Sequence, residues 1–116
     1  MKTVLVLLDS KPMMFILQKM LEDLGFSVFV RSNLTDAQDL LNQDDKIDAV
    51  LLDKTIHAEP TASLIQAFPH VKFIYVSNQT APSDIQTALD LGAAEYIMKP
   101  FDHDILQSKL SLAGLL

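Results

Sequence analysis

The sequence predicts a doubly wound α/β domain, a five-stranded parallel sheet in the order 2-1-3-4-5 with helices on both faces. Three observations carry that prediction. Short apolar runs recur, one per roughly 22 residues, and each is followed by a stretch whose apolar residues fall at helical spacing. The runs are apolar without alternation, as in Val4-Leu5-Val6-Leu7-Leu8 and Ala49-Val50-Leu51-Leu52, which suits strands covered on both faces. Several stop abruptly at a polar residue, Asp9, Asp53 or Ser77, at the carboxyl end where an open parallel sheet gathers its chemistry.

The first strand, Val4 to Leu8, ends at Asp9. Ser10 is placed to cap the helix that follows, and Pro12 falls in its first turn, where a missing N–H costs little. Met13, Leu17, Met20, Leu21 and Leu24 give this helix one apolar face, and Gly25 closes it. Met13, Met14 and Met20 read as gap-filling core, with a minor exposed contact expected at Met14. Ser27 to Arg31 alternates, with Val28 and Val30 on one face and Phe29 on the other, the pattern of an edge strand.

Ser32-Asn33 opens a second helix, with Leu34, Ala37, Leu40 and Leu41 inward, and a polar turn leads into the central strand, Ile47 to Asp53. From Lys54 to Pro60 no pattern is readable; Leu64, Ile65 and Phe68 then form a short third helix ended by Pro69. Val71 to Val76 is a fourth strand, rich in β-branched and aromatic residues, closing at Ser77. Pro82-Ser83-Asp84 starts a fourth helix with Ile85, Ala88, Leu89 and Leu91 inward and Gly92 at its end. Tyr96-Ile97-Met98 is the fifth strand, followed by Lys99-Pro100, where a cis turn is expected. Asp102 caps the last helix, which carries Ile105, Leu106, Leu110 and Ala113.

At 116 residues the chain is expected to be a single domain, 1–116, with no linker. Its net charge of -6 and its nine scattered basic residues argue against direct nucleic-acid binding, which needs clustered Lys and Arg. No apolar run approaches the roughly 20 residues that span a bilayer, so no membrane partner is expected. The absence of cysteine suits a reducing compartment, and the cytoplasm is the expected location. His57, His70 and His103 lie apart from one another, with no pair at zinc-ligand spacing, and read as exposed.

The topology brings Asp9, Asp53, Ser77 and Lys99 to one sheet edge. Two neighbouring carboxylates repel, and a hard divalent cation such as Mg2+ relieves that repulsion through oxygen ligands. A hydroxyl and an ammonium facing the same point suit the oxygens of a phosphoryl group carried on Asp53. Any one of these residues alone would be an ordinary helix cap, turn former or surface lysine. Their combination is the signal.

From Lys2 to about Leu112 the chain resembles the receiver domain of bacterial response regulators, a flavodoxin-like (βα)5 fold shared with the chemotaxis regulator. The matching residues are Asp9, Asp53, Ser77, Lys99-Pro100-Phe101 and Tyr96. The resemblance implies that Asp53 accepts a phosphoryl group from a sensor histidine kinase or a phosphotransfer protein, and that Asp9, Asp53 and the Thr55 carbonyl hold Mg2+. It further implies that Ser77 and Lys99 engage the phosphate and that Tyr96 changes rotamer with it. A homodimer or an output domain would dock on the face made by the fourth helix, fifth strand and fifth helix. On this reading the chain is not an enzyme beyond its own phosphoryl transfer and dephosphorylation.

The sequence departs from the family's pattern at three places. Leu8 stands where a second acidic residue is usual, so Mg2+ should bind weakly; Ile56 to Thr61 carries neither the usual Pro nor the Asp-Gly pair in register; and Asn78 replaces a small residue. Asn78 should crowd the path of Tyr96 and leave its inward position poorly populated. Leu8 keeps open a degenerate receiver that docks partners without phosphorylation. A flavin- or nucleotide-binding protein on the same fold would need a Gly-rich or Ser/Thr-rich loop after the first strand, and Asp9-Ser10-Lys11-Pro12 is none.

Overall fold

The computed structural model describes residues 2–8, 10–43, 46–53, 64–77, 86, 89–90, 92–99 and 101–116, with Asp53 and Ser77 described by backbone alone. Five parallel strands form one sheet in the order β2-β1-β3-β4-β5, the predicted topology. They are β1 (Thr3–Leu7), β2 (Ser27–Arg31), β3 (Ile47–Asp53), β4 (Lys72–Ser77) and β5 (Glu95–Met98). Helix α1 (Lys11–Asp23) follows β1, α2 (Leu34–Gln43) follows β2, and a C-terminal helix (His103–Leu112) follows β5. Residues 64–67 are helical before Pro69, as are 86 and 89–90. Among the described residues no helix is long and apolar enough to cross a membrane.

Strict alternation along the strands divides the core in two. Val4, Val6, Ala49, Leu51, Ile74, Val76 and Ile97 pack with Leu17, Leu21, Leu106 and Leu110 from α1 and the C-terminal helix. Leu5, Leu7, Val50, Leu52, Phe73, Tyr75 and Tyr96 pack with Ala37, Leu41, Leu64 and Ile65 on the other face. Both faces are therefore covered, which is why the central runs carry no polar alternation. The edge strand behaves as its alternation predicts: Val28 and Val30 pack on the first cluster and Phe29 on the second.

The helix ends follow their sequence signals. The Ser10 side chain accepts from the Met13 N–H at 3.3 Å, and Asp102 Oδ1 accepts from the Ile105 N–H at 2.8 Å. Asn33 and Asp36 cap reciprocally: Asn33 Oδ1 accepts from the Asp36 N–H at 2.8 Å while Asn33 Nδ2 donates to Asp36 Oδ2 at 2.9 Å. α1 closes in a Schellman turn, with the N–H of Phe26 donating to the carbonyl of Leu21 and that of Gly25 to Glu22, each at 3.0 Å. Gly25, at φ 95°, supplies the left-handed residue this turn requires.

Gly92 is held more tightly. It has φ +105°, and a Cβ there would lie 2.9 Å from Ile65 Cγ2. Gly92→Ala therefore combines backbone strain with a clash and should cost about 1–2 kcal/mol, read as a lower urea midpoint with unchanged m-value.

Three side chains, Met14, Leu89 and Ile105, differ from the sequence expectation. Met14 is buried at 6% exposure, while Phe15 and Ile16 beside it stand 63% and 50% exposed. Leu89 and Ile105, expected inward, are 39% and 42% exposed. Met13 to Leu17 is apolar all round the helix, so spacing alone cannot choose which side meets the sheet. Ile85, Ala88 and Leu91, also expected inward, and His57 lie outside the described residues, as do the Lys54–Pro60 loop and the Pro100 turn. Asp48, unexplained by the strand pattern, has a structural task. The β1–β3 register shifts between Thr3 and Val4, and Asp48 Oδ2 accepts from the Thr3 N–H at 2.8 Å, replacing a ladder partner.

Candidate functional site

All five strands run the same way, so their carboxyl ends meet at one edge, and the register fixes what stands there. Leu7 pairs with Leu52, Leu52 with Tyr75 and Tyr75 with Tyr96, forming one row across four strands. One step beyond, Asp53 pairs with Val76 and Val76 with Ile97. A further step brings Ser77 opposite Met98, with Lys99 next along the chain. Asp53 thus ends the central strand, Ser77 ends its neighbour, and Lys99 follows the strand after that. Adjacent strands lie about 4.8 Å apart, so two spacings separate the strands of Asp53 and Lys99, a gap suited to the long reach of a lysine.

Of the residues singled out in the sequence, the backbone brings together Asp53, Ser77 and Lys99 at this edge. Lys99 is half-buried and engaged within the fold. Asp9, Thr55 and Asn78 lie outside the described residues. Tyr96 is 3% exposed.

Beside it stands a residue the sequence reading passed over. Tyr75 is also 3% exposed, and its ring centroid lies 6.4 Å from that of Tyr96 with a 33° tilt. Tyrosine suits any strand position, so nothing marked this one out beforehand. Burial pushes the Tyr75 phenol above its ordinary value of 10.0. A phenol whose folded pKa is raised is fully compatible with the fold below the unfolded value. Its share of stability is then lost as pH climbs from about 10 through the raised folded value. Tyr75→Phe should therefore flatten the alkaline limb of a stability–pH curve measured by urea unfolding.

The donors that the family resemblance assigns to Mg2+, the carboxylates of Asp9 and Asp53 and the carbonyl of Thr55, are all oxygen, which would suit a hard cation. Leu8 adds nothing to that set. It is 0% exposed and packed in the cluster containing Val6, Met14 and Leu17. Among the described residues no three acidic or histidine side chains gather to hold a metal.

A polar hollow of about 200 Å³ lies at the far edge of the sheet, lined by Arg31, Asp36, Asp39, Leu40 and Gln43. Its one cation is occupied, since Arg31 Nη1 donates to the Val30 carbonyl at 2.7 Å and the guanidinium sits 5.9 Å over the Phe29 ring. The chemistry-bearing residues are at the β3–β5 edge instead.

Residues 4–111 match the response regulator receiver domain family. The transcriptional regulatory protein YxdJ of Bacillus subtilis (strain 168) is 28% identical over 113 residues, covering 95% of this chain and 49% of that protein. CpxR of Escherichia coli (strain K12), also a transcriptional regulatory protein, is 29% identical over 113 residues, covering 95% and 48%. The chain therefore spans about half the length of these relatives. A response regulator from Thermotoga maritima superposes with a TM-score of 0.88 at 28% identity, covering 97% of this chain and 96% of that one. The Vibrio cholerae chemotaxis protein CheY4 gives 0.85 at 20% identity over 100% and 99%, a likeness of fold.

Proposed function

The chain belongs to the response regulator receiver domain family, and from that premise we propose that it is a phosphorylation switch of a two-component system, with Asp53 as phosphoacceptor. A carboxylate oxygen of Asp53 bonds to phosphorus as the phosphorus–nitrogen bond to a histidine of the donor breaks, and the imidazole leaves with the electron pair. The donor is a sensor histidine kinase or a phosphotransfer protein. The observation that carries this reading is the register placing Asp53, Ser77 and Lys99 at one edge. There the Lys99 ammonium and Ser77 hydroxyl can bind phosphoryl oxygens and draw charge off them in the transition state. Asp9, Asp53 and the Thr55 carbonyl would hold Mg2+, which when bound supplies positive charge to phosphoryl oxygens.

Two exposed surfaces support the partner assignments. α1 starts at the site's edge and shows Phe15 and Ile16 to solvent, apolar surface on which a phosphodonor can dock. Leu89, Met98 and Ile105 expose apolar side chains from the fourth-helix segment, β5 and the C-terminal helix. That face suits a second copy or an output domain, and through such a domain the relatives' role as transcriptional regulators would be served.

Incubation with a small phosphodonor and Mg2+ should add one phosphoryl group by intact mass, in an acid-labile form. No adduct, or an acid-stable one, would refute the reading. The burial of Leu8 favours a second reading, a receiver that docks partners without phosphorylation. Titration with Mg2+ and then beryllium fluoride separates the two, because only a phosphorylation switch takes up the mimic at Asp53 and shifts the backbone resonances around the end of β3.

A further inference from the structure

We propose that Tyr75 is a positioning residue of this receiver: its ring holds Tyr96 in the inward place before any phosphoryl group reaches Asp53. Calling Tyr96 a switch rests on the receiver reading; its burial behind Tyr75 does not. Tyr75 and Tyr96 are direct partners in the β4–β5 register, on one face of the sheet, with ring centroids 6.4 Å apart. Adjacent parallel strands force such partners into contact, and a tilted, offset pair of rings is a favoured arrangement. Phe73, Ala93, Leu64 and Ile65 close the same cluster. An outward Tyr96 would leave one face of the Tyr75 ring without a neighbour, inside a close-packed core where such a gap is costly.

Tyr75 stands two residues before Ser77 on the same strand, so it meets Tyr96 on the route between the phosphate edge and β5. On the other side Glu95 ties β5 down. Its Oε1 accepts from the Tyr96 N–H at 2.9 Å and from Lys109 Nζ of the C-terminal helix at 3.3 Å. Tyr96 is thereby held by ring and by backbone. The consequence is regulatory. Phosphorylation of Asp53 has little rotamer change left to cause at Tyr96, and its response must appear elsewhere.

The chain has two tyrosines and no tryptophan, so Tyr75→Phe and Tyr75→Leu each leave Tyr96 as the sole tyrosine emitter. Acrylamide quenching is measured on both, without metal or phosphodonor, after far-UV circular dichroism and cooperative urea unfolding establish that they fold. Tyr75→Phe keeps the ring and should keep Tyr96 shielded, while Tyr75→Leu should raise its quenching constant several-fold. Equal quenching in the two variants would overturn the proposal. Wild-type protein labelled with 3-fluorotyrosine covers the case in which Tyr75→Leu does not fold. Both fluorine resonances should resist broadening by a soluble gadolinium chelate, and broadening of the Tyr96 line, assigned through Tyr75→Phe, would overturn the proposal. These readings need no phosphorylation. Failure of Asp53 to take a phosphoryl group removes the receiver switch and leaves the ring contact standing, whereas an exposed Tyr96 removes the contact whatever Asp53 does.

Discussion

Asp53→Asn is expected to abolish phosphoryl uptake, with initial labelling by a small phosphodonor falling on the order of 10³-fold or more, to background. An amide oxygen is neutral and far less nucleophilic than a carboxylate, and an acyl phosphate cannot form on it. The size of the effect follows from position. Asp53 ends the central strand with β1 on one side and β4 on the other, and the register sets it one strand from Ser77 and two from Lys99. Stability should move the opposite way. On the receiver reading Asp53 and Asp9 are like charges in one site, and neutralising one would relieve repulsion, so thermal unfolding of Asp53→Asn without metal should come at a higher temperature. Intact mass with and without acid treatment, beside a melt in chelator, reads both arms. Labelling that survives Asp53→Asn would place the phosphoryl group elsewhere.

Much of this was legible in the residues because a parallel sheet writes itself plainly. Strands covered on both faces need apolar side chains at every position, and Val4 to Leu8 and Ala49 to Leu52 have them. Parallel strands also send every carboxyl end to one edge, so the chemistry of Asp53, Ser77 and Lys99 could be assembled before any coordinate was known. Helix faces were harder. Met13 to Leu17 is apolar at five consecutive positions, more than one face can bury, and the exposure of Phe15 and Ile16 in place of Met14 follows from packing against β1 and the C-terminal helix. Ile105 satisfies helical spacing and still stands 42% exposed, because Leu106 and Leu110 are the side chains of this helix that pack into the core. Tyr75 was invisible for a different reason. Its role arises from a cross-strand partner, and pairing between distant segments leaves no local signature in a single sequence.

Leu8→Asp tests where the core stops and the metal pocket begins. Leu8 is 0% exposed among Val6, Met14 and Leu17, so the substitution removes burial worth about 1.5–3 kcal/mol and puts a carboxyl group into apolar surroundings. The expected loss is about 3–5 kcal/mol at pH 7, a large share of the 5–15 kcal/mol typical of a domain. Its sign with pH is fixed. A buried carboxyl has its folded pKa raised above the unfolded value of about 3.9, so the penalty is smallest below that value and grows as pH rises through the folded one. Urea unfolding at pH 5 and pH 7 should therefore show a larger deficit at pH 7, and Leu8→Asn, which carries no charge, should show no such difference. Mg2+ decides the remaining point. If the introduced carboxylate can turn from the core towards Asp9 and Asp53, it restores a third acidic ligand, and metal then stabilises the variant by the linkage between binding and folding. The urea midpoint of Leu8→Asp should rise with Mg2+ by more than that of the wild type. An equal rise in both would mean that position 8 belongs wholly to the core, and that the missing carboxylate cannot be restored from this side of β1.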